Sequence, residues 1–181
     1  KSFEIFGFRI ALYGVIIGIG VLLAVLLVSK IAEKTGQDPD AYWDLSIYLI
    51  IFSIIGARAY YVFFAWDNYK DNLISILYIR NGGLAIYGGV IAGFLTLAVY
   101  VKLRKKSYRQ MADTGVYGLV LGQLIGRWGN FTNREAFGQY TDGLFAMRIP
   151  QEMVRQNEIT KRIASHIAEG TTYIQVHPTF L

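Results

Sequence analysis

Residues 126–138 read Gly-Arg-Trp-Gly-Asn-Phe-Thr-Asn-Arg-Glu-Ala-Phe-Gly, directly after an apolar, glycine-spaced stretch. The run sets Arg127, Asn130 and Glu135, with Asn133 and Arg134, at the edge of hydrocarbon. Charge is costly to bury there, so its placement points to a functional site. Arg127 is the charge nearest the apolar stretch, where a guanidinium suits a lipid phosphate or a carboxylate. Three further positions interrupt apolar surroundings: Tyr13 after Ala11-Leu12, Arg58 in Gly56-Ala57-Arg58-Ala59-Tyr60-Tyr61, and Tyr87 ahead of Gly88-Gly89. Arg58 either snorkels, pairs with a buried acid or meets a lipid phosphate, and its own stretch offers no acid. Tyr13 and Tyr87 read either as interfacial aromatics or as site residues. The pairs Gly82-Gly83 and Gly88-Gly89 ask for positive φ or for close approach by a ligand. Asn130-Phe131-Thr132 matches a glycosylation sequon, read as chance at a membrane edge.

The elements that must position these residues are apolar. Hydrophobic residues make up 54% of the chain, and four apolar stretches cover 10–28, 45–64, 84–101 and 114–125. The first three reach the roughly 18–20 residues that a helix needs to cross hydrocarbon. The fourth is shorter and spans only if it begins near Met111 or continues through 127–131. Glycines four apart (Gly14 and Gly18, Gly89 and Gly93, Gly118, Gly122 and Gly126) predict close helix packing. The first stretch lacks a basic flank and a cleavage pattern, so it is expected to stay as a span. The expected fold is an all-α polytopic membrane protein with about four transmembrane helices and a small α/β extracytoplasmic cap. Residues 1–138 would form the transmembrane body and 139–181 the cap.

Charge sets an orientation. Lys102, Arg104, Lys105, Lys106 and Arg109 fill the loop after the third stretch, whereas the loop after the second carries Lys70 and Arg80 beside Asp67 and Asp71. Short loops rich in Lys and Arg stay cytoplasmic. The N-terminus and the 66–81 loop are then outside, the 35–44 loop inside, and the fourth stretch delivers Arg127, Asn130 and Glu135 to the outer leaflet. Tyr13, Arg58 and Tyr87 fall in the same half, where the set is expected to share one cavity. Trp43, Trp66, Tyr69 and Trp128 read as interface anchors. In the cap, 144–149 and 173–176 read as strands, and 151–169, with Ile159, Ile163 and Ile167 on one face, as an amphipathic helix.

The absence of cysteine excludes a disulfide framework, a thiol nucleophile and a thiolate metal site. The two histidines, His166 and His177, lie outside the apolar stretches, so neither a metal nor another cofactor is expected. No nucleic-acid partner is expected, and the oligomeric state is left open. The chain starts at Lys1 and stops in an ordered-looking segment at 177–181, so it reads as part of a longer protein.

The run 126–138 resembles the signature of the prolipoprotein diacylglyceryl transferases, bacterial membrane enzymes that lipidate lipoprotein precursors. Leu12-Tyr13-Gly14, Gly56-Ala57-Arg58-Ala59-Tyr60-Tyr61-Val62, Gly82-Gly83-Leu84-Ala85-Ile86-Tyr87-Gly88-Gly89 and His177-Pro178-Thr179-Phe180-Leu181 follow the family's order. The resemblance implies transfer of the diacylglyceryl group of phosphatidylglycerol to the lipobox cysteine of a prolipoprotein signal peptide, with release of glycerol phosphate. It implies a place in the bacterial plasma membrane, with the active site towards the outer leaflet. It marks Arg127, Asn130, Glu135, Tyr13 and Tyr87 as catalytic positions. Arg127, Arg58, Gly88, Gly89 and Gly138 become substrate-binding positions. Arg127 would face the phosphate, Asn130 would orient, and Glu135 would hold either an arginine or the headgroup. Many members carry a histidine, proposed as the base, where this chain has Tyr87, and phenols are poor bases at neutral pH. The family also continues past His-Pro into further spans, one of which bears another essential arginine.

Two rival classes use the same residues differently. A channel or transporter would bind a permeating anion at Arg58 and Arg127, but it needs polar residues in both halves of its spans, and the inner halves here are apolar. A scaffold that binds lipoproteins without chemistry has no use for an arginine and a glutamate at the membrane edge.

Overall fold

Long apolar runs satisfy their main-chain groups internally only as helices. Four long helices form: α1 (Leu12–Lys34), α2 (Pro39–Phe64), α3 (Ile86–Leu103) and α4 (Tyr108–Asn133). The computed structural model describes residues 2–5, 8–79, 82–167 and 171–179, with the main chain alone for 2–5 and 8–10. Arg80 of the outer loop, Glu169 at the expected end of the cap helix, and Phe180-Leu181 lie outside the described residues. Among the described residues α1, α2 and α3 are long and apolar enough to cross a membrane. α4 has the length, about 39 Å at the helical rise per residue. Arg109, Asp113, Gln123 and Arg127 dilute its apolar character, so three helices meet the requirement and the fourth expected span does not.

The helix ends follow local rules. α1 stops at Gly36, whose φ of 70° is left-handed. Gly36 N–H donates to Glu33 O at 3.2 Å and Gln37 N–H to Ala32 O at 2.8 Å, a Schellman cap. Asp38 then caps α2 by accepting from Asp40 N–H at 3.1 Å, with Pro39 in the first helical turn. α3 ends as Lys106 N–H donates to Val101 O at 2.9 Å, with Lys105 left-handed at φ 53°.

Contacts divide the chain into two units, Val25–Gly118 and Lys1–Ala24 with Leu119–Leu181. In the first, Val28, Ala32, Ala41, Tyr42, Leu45, Tyr100, Val101 and Met111 form a core. α2 and α3 cross at Gly56 and Gly88, where a Cβ on Gly56 would stand 2.7 Å from Gly88 O. Gly89 and Gly93 also pack on α2, against Ser53. Gly14, Gly18 and Gly122 have no such neighbour among the described residues, so the four-residue spacing marks a packing seam on α3 only in part of the expected set.

The same unit ties the α1–α2 loop to the α3–α4 loop. Lys106 Nζ lies 2.9 Å from Asp38 Oδ2, and Arg104 Nη2 lies 2.6 Å from Asp44 Oδ2. Tyr100 donates to Asp44 Oδ2 at 3.1 Å and to Ala41 O at 3.0 Å, and Gln37 Nε2 donates to Thr114 Oγ1 at 2.9 Å. The hydrogen bond from Lys106, reinforced by its charge, holds the Asp38 carboxyl below its ordinary range. A lowered folded pKa means that this tether contributes fully above the unfolded pKa and is lost as pH falls through the folded value. Amide protection in the two loops, exchange taken relative to the intrinsic rate at each pH, is therefore expected to hold at neutral pH and to fall below about pH 4. Asp38→Asn should show the lower protection at neutral pH and converge with wild type in acid. An acid response unchanged in Asp38→Asn would contradict this assignment.

In the second unit β1 (Ser2–Ile5) and β2 (Phe8–Ala11) pair antiparallel, with Ser2 opposite Ala11 and Ile5 opposite Phe8. The first apolar stretch, expected from residue 10, starts two residues later as a helix, because Ile10 and Ala11 belong to β2. In the cap, β3 (Met147–Pro150) pairs antiparallel with β4 (Tyr173–Val176), placing Ile149 opposite Ile174. Both are buried with Ile163, Val154 and Val176. β4 lies where the sequence predicts it. β3 starts three residues later than expected, because Ala146 N–H closes a turn onto Gly143 O at 2.9 Å. The amphipathic helix expected over 151–169 is replaced by 3-10 turns at 151–153 and 156–158 and by α5 (Lys161–Ala164). Thr160 decides this. Its hydroxyl accepts from Ile163 N–H at 3.3 Å and starts a new helix instead of continuing an old one.

Candidate functional site

The run 126–138 forms the last two turns of α4 and the chain reversal that follows. Arg127 and Asn130 are three apart on the helix and share a face. Arg134 is left-handed at φ 60°. Its N–H donates to Phe131 O at 3.2 Å, and Glu135 N–H donates to Asn130 O at 3.1 Å. This is a second Schellman cap, with an arginine where glycine is usual. It fixes Glu135 directly beside Asn130 through main-chain atoms. Asn133 Nδ2 donates to Glu135 Oε1 at 3.2 Å, which orients the carboxylate. Arg134 itself reaches Met153 Sδ in the cap. Arg127 is exposed and makes no hydrogen bond or ion pair with any described residue.

Two contacts tie this turn to the rest of its unit. The Tyr13 ring lies against Gly129, where a Cβ would stand 3.1 Å from Cδ2 and Cε2. Tyr13 and the signature run therefore meet at Gly129, beside Asn130 and within the same turn as Arg127. At the other end Gly138 N–H donates to His177 O at 2.8 Å, and a Cβ on Gly138 would lie 3.2 Å from the same oxygen. Ala136, also left-handed at φ 52°, accepts from Thr179 Oγ1 at 2.6 Å. The His177-Pro178-Thr179 segment thus docks on the last residues of the run, Ala136 and Gly138. The glycine at 138 serves a main-chain approach.

The other expected positions belong to the unit Val25–Gly118. Arg58 is buried, with 8% of its surface exposed. Its donors go to main-chain carbonyls: Nε to Ile76 O at 2.8 Å, Nη1 to Gly82 O at 2.9 Å and Gly83 O at 2.8 Å, and Nη2 to Ser75 O at 2.9 Å. The Tyr69 ring covers the guanidinium at 5.0 Å. Gly82 and Gly83 both take positive φ, 88° and 79°, as their pairing predicts. Gly88 touches α2 main chain, and Gly89 makes ordinary van der Waals contact with it. Tyr87 opens α3 with 73% of its surface exposed and its ring 6.5 Å from that of Tyr60. The sequence gives no sign of the carbonyls of Ser75 and Ile76 around Arg58, since main-chain acceptors carry no side-chain signature. The paired glycines at 82–83 are the only local clue.

These features define a polytopic helical membrane protein with a structured polar turn at the end of one long helix. The family profile described as prolipoprotein diacylglyceryl transferase matches residues 1–181, and the chain belongs to that family. Three similar proteins carry the name phosphatidylglycerol–prolipoprotein diacylglyceryl transferase. That from Finegoldia magna is 39% identical over 180 residues, covering 99% of this chain and 64% of its own. The Bacillus cytotoxicus protein is 41% identical over 179 residues, covering 96% and 61%. The Clostridium botulinum (strain Langeland) protein is 42% identical over 182 residues, covering 99% and 66%. The chain therefore spans about three fifths to two thirds of the length of these relatives.

Proposed function

We infer that the protein containing this chain moves the diacylglyceryl group of phosphatidylglycerol onto the lipobox cysteine thiol of a prolipoprotein. The observation that carries the reading is the α4 terminus. An exposed Arg127 stands one turn from an Asn130–Glu135 pair locked by the helix cap, with Tyr13 seated on the same turn. Membership of the family and the names of the relatives supply the substrates. In the reaction the cysteine sulfur attacks the glyceryl carbon that bears the phosphate ester. The C–S bond forms, the C–O bond breaks, glycerol phosphate leaves, and the thiol proton passes to a base. Negative charge gathers on the departing phosphate, where a guanidinium stabilises it most. Arg127 takes that role, Asn130 orients the headgroup, and Glu135 holds the polar end of the glycerol. The thiol is supplied by the substrate, which agrees with a chain without cysteine.

The site faces the outer leaflet of the bacterial plasma membrane. Supporting this, the 35–44 loop is tied by ion pairs to the basic α3–α4 loop, so both sit at one end of their unit, as alternation requires. α4 completes the membrane body with residues 1–138, and 139–181 form an extracytoplasmic cap. Tyr87 contributes its ring, which lies 6.5 Å from that of Tyr60, rather than its hydroxyl, which makes no hydrogen bond with any described residue. Tyr87→Phe is accordingly expected to keep transfer within about threefold of wild type, whereas a hydroxyl acting as general base would cost at least about 100-fold.

The direct test supplies the full-length protein with phosphatidylglycerol and two synthetic lipobox peptides. The cysteine peptide should gain a diacylglyceryl thioether with one glycerol phosphate released per peptide, and its Cys-to-Ser counterpart should gain nothing. Phospholipid turnover without modification of the cysteine peptide would sink the reading.

A further inference from the structure

The geometry points to Arg58 as a positioning residue that clamps the α2–α3 loop and thereby sets the first turn of α3. It rests on the transferase reading for its catalytic consequence, not for the clamp itself. A guanidinium inside a membrane-spanning helix is expensive unless its donors are met. Here four hydrogen bonds leave it to four carbonyl oxygens on two separate stretches, Ser75-Ile76 and Gly82-Gly83. Tyr69, from a third position in the loop, stacks on its face. One side chain thus binds the loop at its middle and at its end. The flat fork of five N–H groups suits this, and an ammonium on a flexible stem does not.

The loop has been shaped to receive it. Gly83 takes a left-handed φ, and a Cβ there would collide with Arg58 Nη1 and stand 2.9 Å from Tyr61 Cε1. Two residues on, Ala85 N–H donates to Ala57 O at 3.0 Å, next to Arg58 on α2. Ile86 and Tyr87 then begin α3, and Gly88 meets Gly56. The clamp, the main-chain bond and the glycine crossing form one continuous register from residue 82 to residue 88. With four of its five N–H groups given to main-chain carbonyls, Arg58 acts through the loop and the first turn of α3 and not by direct contact with a phosphate.

Arg58→Lys in the full-length protein separates these roles. It keeps the charge and removes the fork. Amide exchange over 75–79 and 82–85 is expected to rise about tenfold or more, with α1 unchanged. kcat for diacylglyceryl transfer should fall by at least about tenfold, as displaced reacting groups demand, while KM for phosphatidylglycerol stays within about twofold. A raised KM with wild-type kcat and a protected loop would overturn the proposal in favour of direct phosphate binding. A loosened loop with unchanged kcat and KM would reduce Arg58 to a structural part and also overturn it. If Arg58→Lys does not fold, Tyr69→Leu decides the matter. That variant leaves the four hydrogen bonds and should loosen the loop and lower kcat together, though by less; a normal loop and normal kcat would count against the clamp. Wild-type protein without transfer activity would sink the transferase reading and the catalytic half of this proposal, while the exchange arm still decides the clamp.

Discussion

Arg127→Ala is expected to lower diacylglyceryl transfer by about 10²–10³-fold, the usual cost of removing one preorganised donor from a developing anion. The side chain is exposed on the last turns of α4 and makes no hydrogen bond or ion pair with any described residue. Expression, helical content and thermal unfolding in detergent should match wild type. Most of the loss should fall on kcat, because the charge on the phosphate grows as the C–O bond breaks. Arg127→Lys should recover part of the rate, since a point charge still attracts phosphate but cannot grip it with two parallel donors. Transfer rates for the three proteins, measured with a labelled glyceride, decide this. Equal rates for wild type and Arg127→Ala would remove Arg127 from the chemistry.

Gly88→Ala is expected to have the second-largest effect, and its origin is packing. A Cβ on Gly88 would run into Gly56 O and the Tyr60 Cβ, with Gly56 C at 2.9 Å. None of these can yield without moving a helix. Overpacking of this kind costs about 1–3 kcal/mol, read as a lower unfolding midpoint, and it shifts the first turn of α3 with Tyr87. Gly89→Ala is the internal control. Its Cβ would stand 3.4 Å from Ser53 O and 3.6 Å from Ala57 Cβ, an ordinary contact, so its stability should stay close to wild type. A harmless Gly88→Ala beside a damaging Gly89→Ala would mean that these glycines answer to a ligand and not to α2.

Much of this was legible in the residues, and what was not has physical reasons. Spans of sufficient length and hydropathy gave α1, α2 and α3 because main-chain groups in hydrocarbon leave no alternative. The left-handed glycines at 82 and 83 were readable because only glycine takes that conformation cheaply. The left-handed Arg134 was not, since nothing in an arginine announces a helix cap, and this cap is what joins Asn130 to Glu135. The cap helix failed for a similar reason. Ile159, Ile163 and Ile167 keep a helical spacing, but Val154 and Ile163 reach the core from separate turns, and Thr160 restarts the helix. Arg58 showed as a charge out of place. Its purpose depended on carbonyls that every residue has, brought within reach by a loop whose path the sequence does not spell out.

The most direct test of the site is a structure of the full-length protein bound to phosphatidylglycerol. The headgroup phosphate should lie within hydrogen-bonding distance of the Arg127 guanidinium, beside Asn130, with Arg58 still held by its carbonyls. A phosphate bound elsewhere, with Arg127 turned away from it, would contradict the account.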